Sequence, residues 1–102
     1  MHKQNIFANT ITAVSTATDL PVEVILSKCR SEEAVDARYI LFHLLSVNGL
    51  YPSQIASLTG HTRRCVNKIL SQFSSRKESR RIMGINLEHA AHILGTTREQ
   101  EH

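Results

Sequence analysis

The sequence predicts an all-α protein, a compact bundle of about five to six short helices. Apolar residues recur at spacings of three and four along most of the chain, which is the period of helices that bury one face. Hydrophobic residues make up 41% of the chain and aromatic residues 5%, a composition that favours short helices over a β-sandwich. A length of 102 residues suffices for one core without disulfides or a metal, so we expect a single domain over 1–102 with flexible ends at 1–4 and 96–102.

Two helices are expected in the N-terminal part of the chain. The first, over about 5–17, is predicted by apolar residues at helical spacings: Ile6, Phe7, Ile11 and Val14. The chain then breaks at 19–21. Pro21 suits the first turn of a second, short helix over about 21–28, because the N–H that proline lacks is not needed there.

A third helix is predicted to be the central strut of the bundle. Ser31 can cap its N-terminus, and Glu32 and Glu33 follow in the first turn, where carboxylates interact favourably with the helix dipole. Its apolar stripe is the widest in the chain: Ala37, Ile40, Leu41, Leu44 and Leu45. The pair Asn48-Gly49 is expected to end the helix.

Residues 52–71, PSQIASLTGHTRRCVNKILS, contain two short helical periods separated by a tight turn. Ala56 in the first period is small enough to let a second helix cross closely. Gly60 tolerates the positive φ of such a turn, and Thr62 can cap the second helix, over about 62–73. This pattern predicts a helix-turn-helix over about 53–73, whose second helix can enter the DNA major groove. The alternative is an ordinary αα-hairpin with a solvated basic face.

The second helix of this pair divides into two stripes. Its apolar stripe, turned to the core, is Val66, Ile69 and Leu70. The opposite stripe can hydrogen-bond to phosphates or base edges and comprises Thr62, Arg63, Arg64, Asn67, Lys68 and Ser71. The net charge of +3 is mild, but residues 63–81 hold seven basic residues against one acid, which indicates a polyanion-binding surface. The basic residues of 76–81 are expected to touch the DNA backbone.

The polar stretch 74–79 predicts a break, followed by a last helix over 82–94 that Gly95 closes. The apolar residues of this helix are Ile82, Ile85, Leu87, Ala90, Ile93 and Leu94. They support an alternative function, a helical protein-interaction module without DNA binding that uses 82–94 to bind a partner or a second copy. A ligand-responsive repressor is a third alternative, but no polar cluster in the sequence marks a pocket for it.

Catalytic and metal-binding functions have no support in the sequence. Cys29 and Cys65 are far apart and indicate reduced thiols, not a disulfide or a zinc site. His89 and His92 are expected to be surface residues, and His43 a partly buried, hydrogen-bonded one. No nucleophile elbow or triad order is present, so we expect no enzyme, cofactor, metal or small-molecule substrate. No apolar run approaches roughly 18 residues and no signal peptide is evident, which predicts a cytoplasmic protein without membrane contact.

The run PVEVILSKCR at 21–30, followed by AVDAR at 34–38 and a long apolar helix, resembles the C-terminal DNA-binding domain of the bacterial replication initiator DnaA. The resemblance covers about residues 10–72. It implies an all-helical, Trp-repressor-like bundle that binds double-stranded DNA. It also implies that Arg30 reaches toward the minor groove and that Arg38 supports DNA contact from the following helix.

The chain departs from that family in two respects. Where the initiators carry a Gly-Gly-Arg-Asp-His-Thr-Thr-Val type of signature that reads the origin box, this chain has TGHTRRCV at 59–66, apparently one residue shorter. The resemblance therefore implies the docking mode and not the origin-box specificity. No Gly-x-x-x-x-Gly-Lys-Ser/Thr loop is present, so the ATPase part of an initiator is missing. We expect a stand-alone, divergent relative with a transcriptional or replication-associated role; whether it forms a homodimer is left open.

Overall fold

The computed structural model describes the backbone of residues 3–100 and the side chains of residues 3–96. These residues form helices and turns without a strand, which confirms the all-α prediction. The helices are α1 (Lys3–Thr18), α2 (Val22–Leu26), α3 (Glu32–Val47), α4 (Pro52–Thr59), α5 (Arg63–Ser79) and α6 (Arg81–Gln100).

Local sequence signals determine both ends of α3. The Ser31 hydroxyl accepts a hydrogen bond from the Ala34 N–H at 3.2 Å, which satisfies one of the free donors of the first turn. At the other end, the Asn48 N–H donates to the Leu44 carbonyl at 3.0 Å, and Gly49 follows with a φ of 95°. The cap predicted at Ser31 and the end predicted at Asn48-Gly49 are both confirmed.

The central position predicted for α3 is also confirmed, since this helix contacts each of the other five helices. Its middle turns carry side chains with no exposed surface: Ile40, Leu41, Phe42 and Leu45. Because these side chains are surrounded by the other helices, truncating any one to alanine would cost about 2–5 kcal/mol. The core therefore organises the other helices, including α4 and α5, around one buried strut.

The break predicted at 74–79 is wrong, because α5 continues through this stretch to Ser79. The segment contains neither Gly nor Pro, and Phe73 just before it is buried against the core. Most of its polar side chains are exposed, as on a solvated helix face and not in a loop. The helix ends at Arg80, which has an extended backbone with a φ of −130° and a ψ of 99°.

The last helix, α6, is longer than the predicted 82–94. It passes through both Gly84 and Gly95, so the expectation that Gly95 closes it is wrong. An interior glycine costs a helix only about 1 kcal/mol relative to alanine, which packing can outweigh. Among the side chains of this helix up to residue 96, those of Met83, Ala90 and Leu94 are buried.

The two ends of the chain are helical as far as the structure describes them. Residues 3–4 belong to α1 and residues 96–100 to α6, within the ends expected to be flexible. Residues 1–2 and 101–102, on which the same expectation falls, lie outside the described part. None of the described helices has both the length and the apolar character needed to cross a bilayer.

Candidate nucleic-acid interface

Three residues, 60–62, connect α4 to α5 and fix the turn between them. Gly60 has a φ of 76°, in the left-handed region that glycine adopts without strain, and its N–H donates to the Ala56 carbonyl at 3.0 Å. The Thr62 hydroxyl accepts from the Cys65 N–H at 3.1 Å, so the cap predicted at Thr62 is confirmed. Ala56 itself is partly buried against the core.

His61 anchors this connection to α3. Its ring stands edge-on to the fully buried Phe42, with centroids 5.5 Å apart and an interplanar angle of 74°. Its Nδ1 lies 3.9 Å from the Sγ of Cys65 in the first turn of α5. Burial, and secondly the charge of Arg38, lower the pKa of His61, so at neutral pH the neutral imidazole packs here.

The inner side of α5 fixes the rotation of the helix about its axis. Val66, Ile69 and Phe73 are buried at spacings of three and four. The ring of Phe73 also stacks on His43 of α3, with centroids 3.8 Å apart and planes 3° from parallel. Burial, and secondly the charge of Lys77, lower the pKa of His43, which keeps this stack neutral.

The opposite side of α5 carries the residues that the sequence predicted for DNA binding. We call this side the outer face; its residues are exposed and comprise Thr62, Arg63, Arg64, Asn67, Lys68 and Ser71. Two hydroxyls are already engaged: that of Thr62 by the helix cap, and that of Ser71, which donates to the Lys68 carbonyl at 2.9 Å. The side chains of Arg63, Arg64 and Lys68 make no ion pair with the described residues. The outer face is therefore a surface of uncompensated positive charge.

Arg30, predicted from the family resemblance, is exposed in the loop between α2 and α3. Together with Lys28 it borders a groove of about 420 Å³ that Thr62 and Lys68 border as well. We call this cavity the basic groove. It brings the loop cations next to the first turns of α5. Lys28 was not singled out from the sequence, because no periodic pattern links this loop to α5.

Arg38 is placed differently from the expectation that it supports DNA contact at the surface. The residue is 8% exposed, and its guanidinium bonds to main-chain oxygens of the preceding segment. Its Nε donates to the Ile25 carbonyl at 2.9 Å and its Nη2 to the Cys29 carbonyl at 2.7 Å. Desolvation by burial, the largest of the influences on this group, lowers the pKa of Arg38. Arg38 is thus a positioning residue that holds the loop bearing Arg30 against α3.

The basic residues of 76–81 also differ from the expectation that they touch the DNA backbone. Arg76 Nε donates to Asp36 Oδ1 at 2.7 Å, and Arg80 Nε lies 2.7 Å from Asp36 Oδ2. Arg80 Nη1 further pairs with Glu32 Oε2 at 2.6 Å. Two of the expected phosphate contacts are therefore committed to carboxylates of α3. Lys77 and Arg81 stay exposed.

Among the described residues, no group of three or more His, Cys, Asp or Glu side chains is placed to hold a metal ion. His89 and His92 are exposed on α6, as expected for surface histidines. Comparisons with protein-family models, with curated proteins and with solved structures found no match to the chain. The resemblance to the DnaA domain is therefore carried by the residues compared above and stays a prediction.

Proposed function

We propose that the protein binds double-stranded DNA sequence-specifically, with α4 and α5 as a helix-turn-helix and α5 in the major groove. The observation that carries the proposal is the outer face of α5, where Arg63, Arg64 and Lys68 are exposed without ion pairs among the described residues. Cationic side chains of this kind bind phosphates, and arginine also binds guanine edges. The role would be transcriptional or replication-associated regulation.

The dimensions of α5 suit this docking. A helix with its side chains is about 10–12 Å in diameter, and the major groove is about 12 Å wide. The C-terminal half of α5 is tied to α3 through Arg76 and Asp36, whereas the N-terminal half presents the outer face. The N-terminal half would therefore enter the groove, as in other helix-turn-helix proteins.

Four of the outer-face residues have a proposed role. Arg63 and Arg64 would contact bases or flanking phosphates, and Asn67, one turn further, has the amide that pairs bidentately with adenine. Lys68 would contact the backbone. Arg30, on the adjoining loop, would reach toward the minor groove, the role that the resemblance to the DnaA domain implies.

The deciding experiment is an unbiased selection of bound sequences from a random duplex library at moderate salt. We expect a compact enriched motif, because side chains on one helix turn reach only a few base pairs. The Arg64→Ala variant should relax one position of that motif, whereas Arg81→Ala, the same charge change at an exposed site on α6, should leave the motif unchanged. No enrichment together with no duplex binding would overturn the proposal.

A second candidate function, a protein-interaction module, is favoured by one feature of α6. Ile82 is 51% exposed and Ile85 is 55% exposed, three residues apart and so on one side of the helix. Such an apolar stripe could bind a partner or a second copy of the chain. Its association would barely respond to salt and would be lost on changing Ile85 to Glu, as sedimentation velocity would show.

A further inference from the structure

The basic groove has the size and lining of a ligand site. Its volume of about 420 Å³ falls within the range of roughly 300–1,000 Å³ typical of small-molecule pockets. Its cations are Lys28, Arg30, Arg38 and Lys68, and its apolar lining includes Val35 and Ile69. No carboxylate contributes to the lining, so the cavity favours negative charge. The lining comes from separate elements, which is why the sequence marks no such cluster.

Arg38 supplies a buried positive charge at this cavity. The residue is 8% exposed, and its Nε and Nη2 donate to main-chain carbonyls. Its Nη1 has no hydrogen-bond partner among the described residues, and no carboxylate pairs with the guanidinium. Desolvation lowers the pKa of Arg38, which reflects the cost of burying the charge. An anion in the groove would offset that cost.

We propose that the basic groove binds a small organic anion, a phosphate or carboxylate on an apolar body of about mononucleotide size. The anionic group would be held by Arg38 with Arg30 and Lys28, since charge-assisted hydrogen bonds are stronger than neutral ones and strengthen further where water is partly excluded. The apolar body would pack against Val35 and Ile69. The ligand needs both the anionic group and the apolar body. The apolar lining alone would not select an anion, and the cations alone would not enclose an organic molecule.

An occupant of the groove would cover groups that the proposed DNA complex also uses. Arg30, Thr62 and Lys68 line the groove, and the latter two belong to the outer face of α5. Binding of the anion and binding of DNA would therefore compete, which would make the protein ligand-responsive. This consequence rests on the proposed function, whereas the binding of the anion itself does not.

The test uses the full chain without DNA and follows its backbone amides by NMR. Three probes are titrated separately: adenosine 5′-monophosphate, inorganic phosphate and adenosine. We expect saturable shifts at 28–30 and 60–65 with the monophosphate, which should bind about tenfold or more tightly than either fragment because it engages both parts of the groove. Absence of saturable shifts up to ~10 mM would overturn the proposal. If inorganic phosphate bound as tightly as adenosine 5′-monophosphate, the proposed contribution of the apolar part of the ligand would be overturned.

A matched pair of variants separates a site from general charge attraction. Arg30→Ala should weaken the monophosphate about tenfold, whereas Arg81→Ala, an identical charge change outside the groove, should stay within about twofold. Equal weakening by both variants would overturn the proposal. Duplex binding is measured on the same samples. If the parent protein binds the monophosphate but no duplex, the proposed function alone fails; if it binds duplex but shows no saturable monophosphate binding, the groove alone fails.

Discussion

Arg76 and Asp36 form an ion pair across 40 residues of sequence, with Arg76 Nε donating to Asp36 Oδ1 at 2.7 Å. The Asp36 side chain is 3% exposed, so its charge is stabilised by protein groups and not by bulk water. Arg80 completes the arrangement, with Nε 2.7 Å from Asp36 Oδ2. This cluster, which we call the Asp36 brace, ties the end of α5 to the start of α3. It thereby holds the helix whose outer face we propose to meet DNA.

Asp36→Asn should destabilise the protein by about 2–3 kcal/mol. Breaking a fully buried ion pair costs roughly 3–5 kcal/mol. We expect less than this for Asp36→Asn because the side chains of its partners Arg76 and Arg80 are 24% and 22% exposed. Glu32→Gln is the control, since the side chain of Glu32 is 70% exposed and should contribute less than about 1 kcal/mol. Urea midpoints of the two variants measure the difference. Equal small losses would show that the Asp36 brace adds little stability.

Duplex DNA affinity should fall steeply as salt is raised. The exposed cations on or beside the outer face include Arg30, Arg63, Arg64 and Lys68, and none of these four has an ion pair among the described residues. Each phosphate contact releases condensed counterions, so four contacts give a slope of log affinity against log salt near −4. Fluorescence anisotropy over a salt series measures the slope. A flat titration would contradict a basic docking face.

Arg64→Ala and Arg80→Ala should affect different properties. Arg64 is exposed on the outer face, so its loss should cost about 1–3 kcal/mol of binding at the preferred site if it contacts a base bidentately. Arg80 is committed to Asp36 and Glu32, so its loss should lower the urea midpoint and change DNA affinity little. Both quantities are measured on both variants. A uniform loss of affinity on all sequences for Arg64→Ala would mean a phosphate contact only.

Stability should decrease as pH falls below about 6.5. Burial lowers the pKa values of His43 and His61 in the folded state, so unfolding takes up protons once the pH drops below the unfolded-state value. The contribution of these two neutral histidines to stability is fully present above the unfolded-state pKa. It is lost as the pH falls toward and through their lowered folded-state pKa values. His43→Phe retains a ring on Phe73 without a titrating group and should reduce the pH dependence. Urea midpoints at about pH 7.5 and about pH 5.5 test this, with His89→Phe as the exposed control.

The sequence predicted the elements whose causes are local. Ser31 and Thr62 cap the helices that follow them because the required N–H groups lie three residues away, and Gly60 turns the chain through its own φ. The exposure of the outer face of α5 was also predictable from local sequence. The apolar residues of this helix recur every three or four residues, so one stripe is buried and the opposite stripe is exposed.

Features that depend on distant partners were not predictable in this way. The partner of Arg76 lies 40 residues earlier, so a count of basic residues in 63–81 overstated the charge available for DNA. Arg38 was assigned by resemblance alone, and its carbonyl partners appear only once the chain folds back on itself. The basic groove likewise joins residues from several elements, which no sequence period connects.

Gly60→Ala and Gly84→Ala should change stability in opposite directions, although a methyl group at either position would meet nothing within 4 Å. The difference lies in the backbone. Gly60 has a φ of 76° between α4 and α5, where a side chain costs about 1–2 kcal/mol. Gly84 lies within α6, where alanine gains up to about 1 kcal/mol in helix propensity.

Urea midpoints of the two variants test this prediction, and DNA affinity measured beside them extends it to the proposed function. Gly60→Ala should also weaken duplex binding, because the strained connection would shift the first turns of α5 that carry Arg63 and Arg64. Gly84→Ala lies outside the outer face and should bind like the parent protein. If Gly60→Ala leaves both the midpoint and the affinity unchanged, the left-handed turn is not what positions α5.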